Sequence, residues 1–118
     1  MAVDEALSAQ MRNALSDQTG ISETTMMGAR AFLLNGHMVS TARRDTDGTA
    51  LFMFRVGLDQ MQDMLSDPRL FPARMGKRVM AGFLRCAAET CDTDTLRSYL
   101  ARAIDHVSRL PPKPEAAG

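Results

Sequence analysis

The chain has 118 residues, the usual size of one domain, and a second domain would have no core of its own. Its 14 basic and 14 acidic side chains balance to a net charge of zero, which excludes a strong overall field towards nucleic acid or an anionic membrane. Two cysteines, no bilayer-length apolar run and no leader-like segment predict a cytoplasmic protein without membrane contact.

The first half of the chain has the pattern of one helix followed by a meander of strands. Apolar residues recur at spacings of three and four between Asp4 and Asp17, which predicts an amphipathic helix. Asn35-Gly36 favours a type I′ turn between two strands, because both central positions of that turn need a positive φ. The predicted strands cover residues 24–27, 31–34, 38–42 and 50–56.

The second half has the pattern of helix, strand, helix. Asp67-Pro68 should end the second helix, since the proline ring disfavours a helical conformation at the residue before it. Residues 68–78 lack a clean period and are expected to form a loop. Asp92 or Thr93 can cap the last helix. The predicted elements are a helix at 58–66, a strand at 79–86 and a helix from about 93 to 110.

These elements predict an α+β fold with an antiparallel sheet and helices, in the order α-β(3-4)-α-β-α. We expect a single domain over residues 1–110 and a Pro-rich, disordered tail over 111–118. Both faces of the strands at 31–34 and 51–56 are apolar, whereas a one-sided antiparallel sheet normally has a polar outer face. Either the helices divide between the faces, or a partner chain covers one face, for example in a homodimer.

The predicted core consists of apolar residues on the inward stripes of these elements. They are Leu7, Leu15, Phe32, Leu34, Phe52, Phe54, Leu65, Phe83, Leu96, Leu100, Ile104 and Val107. The chain also has ten methionines but no Trp and one Tyr. Methionine suits either an irregular core or an adaptable contact surface, and core filling is the interpretation that the sequence favours.

Cysteine and histidine are the first candidates for chemistry. Zinc would accept these ligand types, but their positions lie on separate elements with poor spacing, so no metal site is predicted. Cys91 precedes a helix N-terminus, which favours a thiolate, but the carboxylates of Asp92 and Asp94 oppose it and no base is placed beside it. We therefore predict no catalytic residue and no cofactor. The four side chains are His37, Cys86, Cys91 and His106.

One segment departs from the balanced charge. No acidic residue occurs between Asp67 and Glu89, and the basic residues there are Arg69, Arg74, Lys77, Arg78 and Arg85. Contact with phosphate or with an acidic partner is the functional interpretation of this basic segment. A solvated loop and strand margin is the structural one, and it is preferred because DNA-binding proteins usually carry a larger basic excess.

Six short segments, taken together in their order and spacing, form a pattern that covers nearly the whole chain. They are residues 26–29, 31–38, 55–57, 75–80, 82–84 and 110–113. This pattern resembles the TfoX N-terminal domain family. The chain departs from that family at Met27, Ala29, Val79 and Phe83, where the family pattern has Phe, Gly, Pro and often Trp.

The resemblance implies a fold similar to that of type III secretion chaperones and a bacterial regulatory role, since the family is named for a regulator of natural competence. In that regulator a second, helical domain follows, and we expect a stand-alone domain here. The family implies no catalytic residues. The resemblance therefore implies a fold and a regulatory process, but it assigns no catalytic or binding residue.

Three functions are compatible with these observations. The leading hypothesis is a non-enzymatic regulatory or adaptor module that binds a protein partner, such as a transcription factor. The second is a weak nucleic-acid-binding protein that uses the basic segment within residues 69–85. The third is a small-molecule binder, or an enzyme of unknown reaction, with a pocket near Cys91, His37 or His106.

Overall fold

Three α-helices and six strands make up residues 3–111, the part of the chain that the computed structural model describes. The helices are α1 (Glu5–Ala14), α2 (Gly57–Met64) and α3 (Thr93–Ser108), with a 3-10 turn (Ala88–Thr90) before α3. The strands are β1 (Ile21–Met26), β2 (Ala29–Leu34), β3 (His37–Arg44), β4 (Ala50–Arg55), β5 (Leu70–Met75) and β6 (Arg78–Ala87). They form one antiparallel sheet in the order β1-β2-β3-β4-β6-β5, which confirms the α+β class.

Strand β5 corrects the predicted element order. The sequence predicts a loop and then a single strand between the last two helices, but β5 and β6 form a hairpin there. Pro72 hides the strand pattern because it has no N–H to donate to a ladder. Its position is tolerated because β5 is an edge strand that pairs only with β6.

Tight turns join the first three strands. Asn35 and Gly36 have φ values of 54° and 82°, as the predicted type I′ turn requires. Met27 and Gly28 form a second turn in which both φ values are also positive, at 51° and 82°. The prediction that Met27 continues a strand is wrong, because a positive φ is rare for methionine and its sequence signal is weak.

Aspartates cap the first and last helices. The Asp4 carboxylate accepts a hydrogen bond from the backbone N–H of Leu7 at 3.0 Å. The Asp92 carboxylate accepts one from the N–H of Thr95 at 2.8 Å, so Asp92 is the cap of α3 rather than Thr93. Both residues satisfy a backbone donor that the first helical turn leaves free.

All three helices pack on one face of the sheet. Alternate strand residues point to that face and form one buried cluster with the helices, including Phe32, Phe52, Phe54, Leu84 and Cys86. Division of the helices between the two faces, one of the two explanations left by the sequence, is therefore wrong. The helices contribute Leu7, Met11, Met61, Leu96, Leu100 and Val107 to the same cluster.

Most of the predicted core residues are buried in this cluster. Leu65 and Ile104 are half-buried and pack against its margin. Phe83 is the exception, because its β6 position points to the face that carries no helix, where the Arg55 guanidinium lies over its ring.

Two other expectations concern the ends of the chain and the membrane. The expected tail over 111–118 lies outside the described residues, apart from Pro111. Among residues 3–111, no helix has both the length and the apolar character needed to cross a bilayer.

Candidate functional site

The face of the sheet without helices holds a cavity of about 260 Å³ that we call the methionine groove. Its lining comes from strands and turns alone. The six methionines that line it are Met26, Met27, Met38, Met53, Met75 and Met80. Core filling, the interpretation favoured from composition, is therefore wrong for these six, and it holds for Met11, Met61 and Met64.

The groove exists because the sheet curves around this face. The β1–β2 turn and the β5–β6 hairpin belong to opposite edges of the sheet, yet both contribute walls to the same cavity. Between them, the floor includes Thr41, Leu51 and Met53 on the two central strands β3 and β4. Met27 and Met75, on the opposite walls, keep 81% and 64% of their surface exposed. The rims of the groove are thus apolar and accessible.

Gly82 separates the half of β6 that pairs with both β4 and β5 from the half that pairs with β5 alone. Strand β4 pairs with β6 only from Phe83 to Ala87, so the first part of the hairpin extends beyond that ladder. Gly82 has a φ of +84°, and a Cβ there would lie 3.2 Å from the Cα of Gly57. Glycine in a strand often marks such a bend with a close backbone approach.

Three arginines line the groove among the methionines: Arg43, Arg74 and Arg85. Arg43 is neutralised by Asp45, with Nε 2.8 Å from Oδ1. Arg74 and Arg85 form no ion pair within the part of the chain that the structure describes. Arg85 is also half-buried, opposite Met53 in the ladder. Two cations beside an apolar lining favour a ligand that is apolar with an anionic group.

The structure divides the predicted basic segment into three places. Arg74 and Arg85 lie in the groove, while Lys77 and Arg78 lie at the exposed β5–β6 turn. Arg69 turns towards α3 and is bound by Asp67. A continuous surface of all five residues, which the sequence suggests, is not formed, because Arg69 precedes β5 and its guanidinium is held by Asp67 towards α3.

Asp67 links the loop after α2 to helix α3. Its carboxylate accepts hydrogen bonds from the Arg69 guanidinium at 3.0 and 2.8 Å, and from the Tyr99 hydroxyl at 2.6 Å. The Arg69 bonds, followed by the Tyr99 bond, hold the pKa of Asp67 far below its usual value. Burial, together with the bond to Asp67, raises the pKa of Tyr99. These interactions account for the position and the charge pairing of the Arg69 side chain without a ligand.

Asp67→Asn should lower the free energy of unfolding by about 1–2 kcal/mol at pH 7, because it removes the charged acceptor shared by Arg69 and Tyr99. Since the folded pKa of Asp67 is depressed, this contribution is fully present above the ordinary carboxyl pKa of about 4. It declines as the pH falls further. Urea unfolding of the variant and the parent protein at pH 7 and pH 3 measures both effects.

Asp63→Asn is the matched control for that change. Asp63 pairs with Arg102 at 2.7 Å, but both side chains are largely exposed, so the loss should be about 0.5 kcal/mol or less. Two results would contradict the role given to the Asp67 carboxylate. One is an equal loss of unfolding free energy in the two variants, and the other is a loss for Asp67→Asn that is the same at pH 7 and pH 3.

Neither the cysteines nor the histidines form a shared site. Cys86 and Cys91 are both buried. The interaction of the two thiols, together with burial, raises the pKa of Cys86. His37 bonds the carbonyl of Pro111, and His106 packs on α2. In residues 3–111, no three His, Cys, Asp or Glu side chains converge as metal ligands would.

A larger depression of about 500 Å³ lies between α1 and the β3–β4 turn. Its basic residue, Arg44, is already engaged by the Asp4 carboxylate at 2.7 Å and by the carbonyl of Gly48 at 2.8 Å. Within residues 3–111 the depression thus offers no free cation to a ligand, and its other charged residues are the carboxylates Asp47 and Glu89. The methionine groove, which is mostly apolar, is the better candidate.

The sequence contained two signals for the groove, which were the apolar residues on both strand faces and the surplus of methionine. Neither signal places Met26 and Met75 in one groove, because they are far apart in the chain and lie on strands at opposite edges of the sheet. Comparison of the chain with models of known families, with curated protein sequences and with solved structures gave no match. The TfoX N-terminal domain resemblance and the likeness to secretion chaperones therefore stay predictions.

Proposed function

We propose that this chain is a non-enzymatic adaptor or regulatory module that binds another protein through the methionine groove. The observation that carries the proposal is an apolar sheet face that no helix covers, with exposed methionine rims and two arginines, Arg74 and Arg85, without ion pairs in residues 3–111. Contiguous exposed apolar surface rimmed by polar residues is typical of protein-interaction sites.

The composition of the groove also supports binding rather than catalysis. Among residues 3–111, arginine and threonine supply the only polar side chains of its lining, and neither is a usual general acid or base. Its volume of about 260 Å³ lies below the roughly 300–1,000 Å³ of typical small-molecule pockets. Methionine-lined surfaces can repack around different partner side chains.

The resemblance to the TfoX N-terminal domain and its chaperone-like fold agrees with this role, and it suggests a bacterial transcription factor as one kind of partner. A homodimer through the groove is less favoured. In a two-fold symmetric pair the same surface faces itself, so the interface would contain Arg74 and Arg85 of both copies, and the groove lining in residues 3–111 includes no carboxylate to pair with them. We therefore expect a monomer by light scattering at all accessible concentrations.

Photo-cross-linking from the groove rim tests the proposal. A photoreactive phenylalanine analogue at Met75 should cross-link a defined partner protein in living cells, which mass spectrometry identifies. The same analogue at Leu58 is the control, because Leu58 is equally exposed, at 63% against 64%, but lies on helix α2. The same set of products from both positions, or none from Met75, would refute the proposed binding face.

Nucleic-acid binding is the second candidate, and one observation favours it. Lys77 and Arg78 lie at the tip of a hairpin that extends beyond the β4–β6 ladder, and within the described residues neither is in an ion pair. A basic β-ribbon can enter a DNA groove. This candidate predicts binding at low salt that weakens steeply as salt rises, since neutralised phosphates release counterions. Undetectable binding of duplex and single-stranded DNA at low salt would exclude it.

A further inference from the structure

The backbone of the groove floor has no hydrogen-bonding capacity left for a partner. Strands β2, β3, β4 and β6 are interior strands, and the floor residues Thr41, Leu51 and Met53 pair with a neighbouring strand on both sides. An extended peptide lying on this floor could not extend the ladders and would leave its own backbone groups unpaired. Addition of a partner strand needs a free strand edge, such as β1, β5 or the part of β6 before Gly82, and these edges lie at the walls of the groove rather than across its floor.

An α-helix avoids this cost because it satisfies its own backbone hydrogen bonds. Only its side chains need partners, and the groove offers six flexible methionine side chains for an apolar stripe. The cavity of about 260 Å³ has room for a few apolar side chains but not for a helix about 10 Å wide. The helix would therefore lie across the mouth and insert residues spaced at i, i+3 and i+4.

The charge of the groove indicates which residues should flank the apolar stripe of the bound helix. Arg43 already has Asp45, but Arg74 and Arg85 contribute two positive charges to the same cavity, unopposed by any ion pair in residues 3–111. The guanidinium of Arg85 is half-buried. A carboxylate stabilises a half-buried guanidinium more than it stabilises an exposed guanidinium. Acidic residues beside the apolar stripe would supply that carboxylate.

We propose that the methionine groove receives an acidic amphipathic α-helix of the partner protein. The apolar stripe of this helix packs against the methionines, and its Asp or Glu side chains pair with Arg74 and Arg85. This inference rests on the proposed function and names the chemistry of the partner.

Synthetic helices test the inference with the full-length protein. One peptide of about 18 residues, or about five helical turns, carries a Leu/Met stripe flanked by Glu. A second has Lys at every Glu position, and a third has the Glu sequence interrupted by two prolines. Fluorescence anisotropy should detect binding of the Glu helix, with affinity lower by about tenfold or more for the Lys helix and for the proline peptide.

Charge reversal in the protein provides the specific control. Arg74→Glu and Arg85→Glu should each weaken binding of the Glu helix by about tenfold and strengthen binding of the Lys helix. Arg97→Glu, an exposed change on α3 on the other face, should alter neither affinity. Equal binding of the Glu and Lys helices, or affinities that do not respond to reversal at Arg74 and Arg85, would overturn the inference.

The outcomes also separate this inference from the proposed function. A partner cross-linked at Met75, together with no binding of the Glu helix, would refute the helical class and leave the binding face in place. Binding of the Glu helix that is lost on reversal of Arg74 and Arg85 supports the inference directly.

Discussion

Replacement of Phe54 by alanine should lower the free energy of unfolding by about 3–5 kcal/mol, the usual cost of removing a buried aromatic ring. Phe54 is fully buried, and its ring meets that of Tyr99 edge to face at 5.4 Å, so the change leaves a cavity between β4 and α3. A domain of this size has about 5–15 kcal/mol in total, so much of its stability would be lost. Urea unfolding followed by circular dichroism measures the change.

Phe71→Ala is the matched control for Phe54→Ala. Phe71 lies on the edge strand β5 with 41% of its surface exposed, so the same chemical change should cost about 1 kcal/mol or less. Losses of similar size at the two positions would contradict the core described above.

Gly57→Ala should destabilise the protein by about 2–5 kcal/mol for two separate reasons. Gly57 has a φ of +82°, which strains any residue with a Cβ. In addition, a Cβ at this position would lie 2.6 Å from Nδ1 of His106, so the start of α2 and the end of α3 could not keep their contact. Thermal and urea unfolding of the variant measure the total.

Two further variants separate the strain from the clash. Gly48 has a similar φ of +89° but nothing within 4 Å of the added Cβ, so Gly48→Ala should show the backbone cost alone, about 1–2 kcal/mol. His106→Ala removes the ring that would clash and should recover part of the loss in the double variant with Gly57→Ala. Additive effects of the two changes would show that the His106 contact does not matter.

The function proposed here depends on an imbalance in the sheet. Three helices cover one face, while the groove on the other face is lined by six methionines, three arginines, Leu51, Ala29 and Thr41. A surface that served only stability would gain little from Arg74 and Arg85, which have no carboxylate partner within residues 3–111. An acidic amphipathic helix bound there would cover the methionines with its apolar stripe and place carboxylates beside the two arginines.

Fold prediction succeeded where neighbouring residues carry the information. Asn35-Gly36 defines its turn through the φ preferences of two adjacent residues, and Asp92 caps α3 through a bond to the N–H of Thr95. Strand β5 was missed because Pro72 is compatible with a strand only at a sheet edge, and the edge is known only after β5 has paired with β6.

The sequence grouped five basic residues in one segment, but the structure separates them. The basic segment did contain Arg74 and Arg85, two of the cations of the groove. It also included Arg69, which is held by Asp67 on the side of helix α3. A run of like charges says nothing of the direction in which each side chain points, and that direction depends on the register of β5 and β6.

The sequence by itself determined the α+β class and the Asn35-Gly36 hairpin, and it left Asp92 or Thr93 as the cap of α3, because these features follow from periodicity and from residues a few positions apart. Only the tertiary structure decided which apolar face the helices cover, and that Met26 and Met75 line one groove. Strand order and sheet curvature bring these residues together, and both arise from packing across the whole domain rather than from local preference.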